Sequence, residues 1–122
     1  MTQKVFISYA AQDRAFAQAL KPRLEEFLPA RSQPLDVLDV QSHVSAGDDV
    51  RKAVKEAIDE ANTVVIVSSP AADASQWVNY EAGLADALGK NIVIVNRKGS
   101  GKSAILHRFS DSARFIEMDD MD

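Results

Sequence analysis

The sequence predicts an open α/β fold, a parallel sheet with helices packed on both faces. Three observations carry that reading. Short apolar runs of strand length alternate with segments of helical periodicity along the whole chain. Two of the runs, 63–67 and 92–95, lack the polar alternation of a half-exposed strand and read as strands covered on both sides. No repeat, linker or low-complexity tract interrupts the 122 residues, the size of one domain burying about two-thirds of its unfolded surface.

Val5-Phe6-Ile7 is the first strand. Arg14 to Leu28 is helical, with Phe16, Leu20, Leu24, Phe27 and Leu28 at helix spacing. Pro22 removes a backbone donor inside that stretch, which costs about 3 kcal/mol in a helix interior, so a kink or a restarted helix is expected there. Leu35 to Val40 is the second strand. Asp48 to Ala61 is a helix in which Val50, Ala53, Val54, Ala57, Ile58 and Ala61 keep the i, i+3, i+4 pattern. Thr63 to Val67 is the third strand. Ser75 to Leu88 is a helix with Ser75 as N-cap and Gly89 closing it. Ile92 to Val95 is the fourth strand, Ala104 to Phe109 a short helix, and Arg114 to Met118 a last strand at an edge.

Strand–helix alternation with right-handed crossovers places helices on both faces. Five strands so connected most often take the order 2-1-3-4-5 of flavodoxin-like folds, with the ligand crevice where the first and third strands diverge. Here the crevice walls are Ser8 to Asp13 and Ser68 to Ser75.

Composition narrows the occupant. Lys and Arg total 14 against 18 Asp and Glu, a net charge of −4 with a pI near 5.1, so there is no electrostatic footprint for nucleic acid or an anionic membrane. No run approaches the ~18 apolar residues of a membrane span, and Met1-Thr2-Gln3-Lys4 enters a strand without a signal-peptide core. The absence of cysteine excludes disulfides, thiolate catalysis and Cys-based zinc sites. His43 and His107 are too far apart in sequence to suggest a metal cluster, so no metal is expected and the expected setting is the cytoplasm.

Phospho-acceptor chemistry needs an Asp ending the third strand, where this chain has Ser68-Ser69. A flavin-phosphate loop wants a Gly after the first strand, and Ser8 to Asp13 has none. Gly99-Ser100-Gly101-Lys102-Ser103 looks like the tail of a P-loop, but Asn96 stands where the first Gly belongs, so it reads as a polar loop.

Glu81 is the residue that needs explaining. Trp77, Tyr80, Glu81, Leu84 and Leu88 share one stripe of their helix, and an ionised carboxylate on an apolar stripe is costly unless paired or facing a polar cleft. Gly83 nearby is expected to admit another backbone. A boundary glutamate paired with a neighbouring Lys or Arg explains the pattern as well as a site residue does.

Three segments together resemble the Toll/interleukin-1 receptor (TIR) domain, in particular its bacterial members. Val5-Phe6-Ile7-Ser8-Tyr9 with Asp13 looks like the family's first box. Ser45-Ala46-Gly47-Asp48-Asp49-Val50-Arg51 looks like the loop entering its second helix, and Ser75-Gln76-Trp77-Val78-Asn79-Tyr80-Glu81 is similar to its Ser-x-Trp-x-x-x-Glu helix start. The resemblance spans Lys4 to Glu117. It implies one of two functions, signalling by TIR–TIR self-association or cleavage of the glycosidic bond of NAD. In the second, Glu81 matches the catalytic glutamate and Trp77 a pocket-shaping residue. Phe6 with Trp77 would face the nicotinamide end, and Ser8 with Tyr9 would supply hydroxyls to the substrate.

Two departures stand out. Leu38-Asp39-Val40 carries its acid one position away from the family's Trp-x-Asp, which on a strand reverses the face. The chain also stops soon after the last strand, so the family's final helix is expected to be short or absent. That fits a minimal single domain over 1–122 or one excised from a longer protein. The leading expectation is an NAD glycohydrolase in bacterial immune or effector signalling. NAD is its substrate and no separate cofactor is implied; a cyclising form would return the ribose to the adenine ring. The alternative is a non-catalytic module acting by self-association, and a third is a deoxyribosyltransferase-like nucleoside enzyme.

Overall fold

The computed structural model describes residues 3–26, 35–38, 50–97 and 113–118. Strands β1 (Gln3–Ser8), β2 (Leu35–Leu38), β3 (Thr63–Ser68), β4 (Asn91–Arg97) and β5 (Ala113–Met118) form one sheet in the order β2-β1-β3-β4-β5. Every neighbouring pair is parallel, with Phe6 level with Leu38 and Val64, and Val64 level with Ile92. Among the described residues the α-helices are α1 (Arg14–Leu20), α2 (Val50–Glu60), α3 (Pro70–Ala74) and α4 (Gln76–Ala87).

Side chains alternate across a strand, and that alternation divides the apolar runs between two cores. Phe6, Val64, Ile66, Ile92 and Ile94 pack with Val54 and Ile58 of α2, Ala72 of α3, and Val78, Ala82 and Ala85 of α4. Val5, Ile7, Tyr9, Val65, Val67, Val93 and Val95 pack on the other face with Phe16, Ala17 and Leu20 of α1 and with Leu24. β3 is buried at every position, as its unbroken run requires. Each fully buried Val, Ile or Leu contributes about 1.5–3 kcal/mol, so the two cores hold the sheet from both sides.

Pro22 changes the type of helix instead of kinking it. α1 ends at Leu20 and the chain continues as a 3-10 segment, Lys21–Glu26. Proline has no N–H for the carbonyl four residues back and its ring crowds that carbonyl, so the tighter winding replaces the α-turn while Leu24 stays buried. The expected helix to Leu28 is followed to Glu26. Asp39, His43, the Gly99–Ser103 loop, the helix expected at Ala104–Phe109, and His107 lie outside the described residues. Among the described residues no helix is long and apolar enough to cross a membrane.

α4 begins and ends as its sequence directs. The Ser75 hydroxyl accepts from Val78 N–H at 3.1 Å. At the other end Gly89 has φ +68°, Gly89 N–H donates to Asp86 O and Lys90 N–H to Ala85 O, a Schellman closure. Among the described residues Gly83 does not fill its expected role: a Cβ there would meet none of their atoms within 4 Å, so no described backbone approaches it.

These two glycines give opposite expectations. Gly83→Ala is expected to raise stability by about 1 kcal/mol, since it adds helix propensity into open space. Gly89→Ala is expected to lower it by about 1–2 kcal/mol, the cost of a left-handed backbone with no steric contact to blame. Urea midpoints of the two variants beside the parent check both signs.

Candidate functional site

Strand β1 leads to α1 on one face of the sheet and β3 leads to α3 and α4 on the other, so the chain parts at the carboxyl ends of β1 and β3. Open α/β sheets bind ligands at such a point. On the face covered by α4, the strands change character there. Phe6, Ile66 and Ile94 are followed two residues later by Ser8, Ser68 and Asn96, all buried, with Ser68 level with Asn96. The alternation that builds the core therefore ends in a polar layer.

α4 lays Val78, Glu81, Ala82 and Ala85 against this face. The expected inward stripe is corrected by one residue around the helix axis. Tyr80 and Leu88 are each 38% exposed, and Trp77 and Leu84 are only partly buried. Small side chains at 82 and 85 let the helix sit close to the strands, and the bulky ones are left on its flank. Glu81 belongs to both arcs and lies deeper than a boundary residue, at 1% exposure.

The Ser8 hydroxyl donates to Glu81 Oε1 at 2.7 Å. A hydrogen bond to a carboxyl oxygen taken out of water offsets part of the cost of burying it, and the Ser8 hydroxyl supplies one here. The sequence placed Ser8 against substrate; the structure places it against Glu81.

The aromatic surface expected of Phe6 is corrected: Phe6 is wholly buried beneath α2 and α4, its ring taken up by packing. Tyr9, expected to supply a hydroxyl, is buried with its ring in the core on the α1 face. Trp77 stays partly exposed and stacks on Tyr80, with ring centroids 5.8 Å apart and planes at 25°. Of the five expected site residues, the structure thus joins Ser8 to Glu81 and sets Trp77 one helical turn away.

A second buried pair went unseen in the sequence. Ala11–Asp13 form a 3-10 turn after β1, closed by Asp13 N–H to Ala10 O at 2.8 Å. Asp13 Oδ2 accepts a hydrogen bond from Ser69 Oγ, and Ser69 Oγ in turn caps α3 by accepting from Ala72 N–H at 3.0 Å. The crevice wall expected over Ser68 to Ser75 is therefore a capped helical turn. Its signal was present in Ser69-Pro70, an N-cap followed by proline at the first helical position. Among the described residues no group of three or more His, Cys, Asp or Glu is arranged to hold a metal ion.

Comparison with known proteins places this geometry in a family. The family model described as TIR domain matches residues 5–120. No curated protein matches the chain. Among solved structures, the TIR domains of the activated Roq1 resistosome recognising the pathogen effector XopQ align with a TM-score of 0.60 at 16% identity, covering 89% of this chain and 71% of that one. The CMP N-glycosidase BcmB of Clostridium botulinum aligns at 0.59 and 18% identity, covering 96% and 88%. A diflavin flavoprotein A3 from Nostoc sp. aligns at 0.55 and 17%, covering 97% and 79%. These likenesses share the α/β fold across proteins of different chemistry. With a family match running through nearly all of its length, the chain belongs to the TIR domain family.

Proposed function

We propose that this TIR domain cleaves the nicotinamide–ribose bond of NAD, with Glu81 as the catalytic residue. The observation that carries the reading is a carboxylate buried at the strand ends of the sheet and held there by a serine hydroxyl. The C1′–N bond electrons pass to the positively charged pyridinium nitrogen, so nicotinamide departs neutral and needs no general acid. The charge moves to the ribose, whose C1′ becomes oxocarbenium-like. A carboxylate near that carbon stabilises it, as in glycosidases. Water then adds to C1′ and loses a proton to solvent, giving ADP-ribose; attack by an adenine nitrogen gives a cyclic product.

Glu81 is 1% exposed, so contact with a ribose requires its carboxylate to turn away from Ser8 about the side-chain torsions while α4 stays in place. Trp77, partly exposed one turn earlier, offers an aromatic face to the nicotinamide. Phe6 packs beneath the site on the α4 face, and Tyr9 packs on the opposite face of the sheet. An N-glycosidase among proteins of the same fold supports the bond type, and BcmB's substrate makes CMP the control to run beside NAD.

The second reading is a module that acts by TIR–TIR self-association. The Roq1 resistosome TIR domains favour it, since they function within an assembly. The two readings combine if assembly turns the site on, in bacterial signalling within the cytoplasm.

Three outcomes are expected. Concentrated protein incubated with NAD releases nicotinamide with ADP-ribose or a cyclic product, at a rate rising faster than linearly with protein. Strict linearity with monomeric behaviour throughout contradicts the assembly part. Glu81→Gln keeps the acceptor for Ser8 but loses the charge, so turnover falls about a hundred- to a thousandfold while the thermal midpoint holds or rises. Equal turnover in that variant removes Glu81 from catalysis, and an inert parent leaves the self-association reading. Trp77→Ala lowers turnover and destabilises by less than the about 3–5 kcal/mol of a fully buried ring, because the indole is partly exposed. Turnover and thermal midpoint of each variant decide these points.

A further inference from the structure

Asp13 takes no part in the chemistry proposed for Glu81, yet it is buried, and a buried carboxylate must be held by something. Its bond with Ser69 has a counterpart. Two hydroxyl–carboxylate pairs cross the junction of β1 and β3, in opposite senses. Ser8, at the end of β1, donates to Glu81 on the helices that follow β3. Ser69, just after β3, donates to Asp13 in the turn that follows β1.

Ser69 and Glu81 sit on one internally bonded unit. Ser69 Oγ caps α3 through Ala72 N–H, and Ser75 N–H returns to Ala72 O at 3.1 Å. The Ser75 hydroxyl then caps α4 through Val78 N–H. Asn79 Nδ2 donates to Asp73 O at 3.2 Å and to Ser75 O at 2.8 Å, clamping α3 to α4. A helix as short as α3 has no stability of its own in water, so its position is set by its cap and by whatever the cap holds.

We infer that Asp13 is a positioning residue for Glu81. Its bond to Ser69 ties the start of the α3–α4 unit to the turn after β1, and before substrate binds the Ser8 bond ties the unit again at Glu81, beside the core packing of Val78, Ala82 and Ala85. With Asp13 lost, the unit pivots about the Ser8 contact and the carboxylate is displaced from the line of the crevice. The kinetic consequence rests on the glycosidic reading above. The two-point attachment does not, and it is measured without substrate.

The experiment compares Asp13→Ala, Asp13→Asn and Ser69→Thr with the parent, by amide hydrogen exchange and by steady-state NAD cleavage. Asn keeps a neutral acceptor for Ser69, and Thr keeps both the hydroxyl donor and the cap. Asp13→Ala is expected to speed exchange across 72–81 about tenfold while β3 and β4 keep the parent rate. Its kcat falls about tenfold or more with KM within about twofold. Asp13→Asn recovers most of both losses, and Ser69→Thr matches the parent. Parental exchange over 72–81 in Asp13→Ala overturns the inference, and if kcat nonetheless falls, Asp13 contacts substrate. Equal acceleration in β3 and β4 also overturns it, since the effect is then a general loss of stability. If the parent cleaves no NAD, the glycosidic reading fails alone, and exchange in the same variants still decides the attachment.

Discussion

Taking a carboxylate out of water costs several kcal/mol, and Glu81 is buried between a helix and a parallel sheet with a serine hydroxyl on its Oε1. That contact sets conditions on its surroundings. α4 has to lie close enough to β1 for a 2.7 Å bond, which its inner arc of Val78, Ala82 and Ala85 permits and a bulkier arc would prevent. The helix has to start at a fixed place, which the Ser75 cap and the clamped turn of α3 secure. The sheet beneath has to be firm, and Phe6, Val64, Ile66 and Ile94 make it so.

The same strand alternation makes both core and site. Along the face under α4, aliphatic and aromatic side chains give way at the carboxyl ends to Ser8, Ser68 and Asn96. Hydrophobic burial lower on the strands supplies the stability, and the polar layer above spends some of it on groups that must be hydrogen-bonded. A site at this end of the sheet therefore sits on rigid strands, beside the point where the chain parts to opposite faces. The TIR family match and the likeness to flavin and glycosidase proteins describe one scaffold whose chemistry is decided by what stands at those strand ends.

Much of the scaffold was legible because its signals are local. The apolar runs gave parallel strands, Ser75 and Gly89 marked the ends of α4, and the carboxylate at Glu81 stood out from its neighbours. The rotation of α4 was not legible. Periodicity favours the arc with the largest side chains, Trp77 to Leu88, whereas close approach to the sheet selects the arc with the smallest. The family resemblance puts Phe6 near the crevice as aromatic surface and Tyr9 there as a hydroxyl, whereas strand alternation sends their rings to opposite faces, into the two cores. Asp13 and Ser69 were both inside the expected crevice walls, but their bond joins residues 56 apart in sequence, and no local pattern announces such a contact.

In the function proposed above, the ribose of NAD meets the carboxylate of Glu81. That contact is tested most directly by following the Glu81 side-chain carboxyl carbon by NMR, in protein labelled at glutamate Cδ and titrated with an unreactive NAD analogue. On this account the Glu81 resonance moves with the binding curve and Ser8 backbone resonances move with it, because the carboxylate leaves the serine to face the ribose. Saturable binding that shifts other residues while Glu81 and Ser8 stay fixed would contradict it.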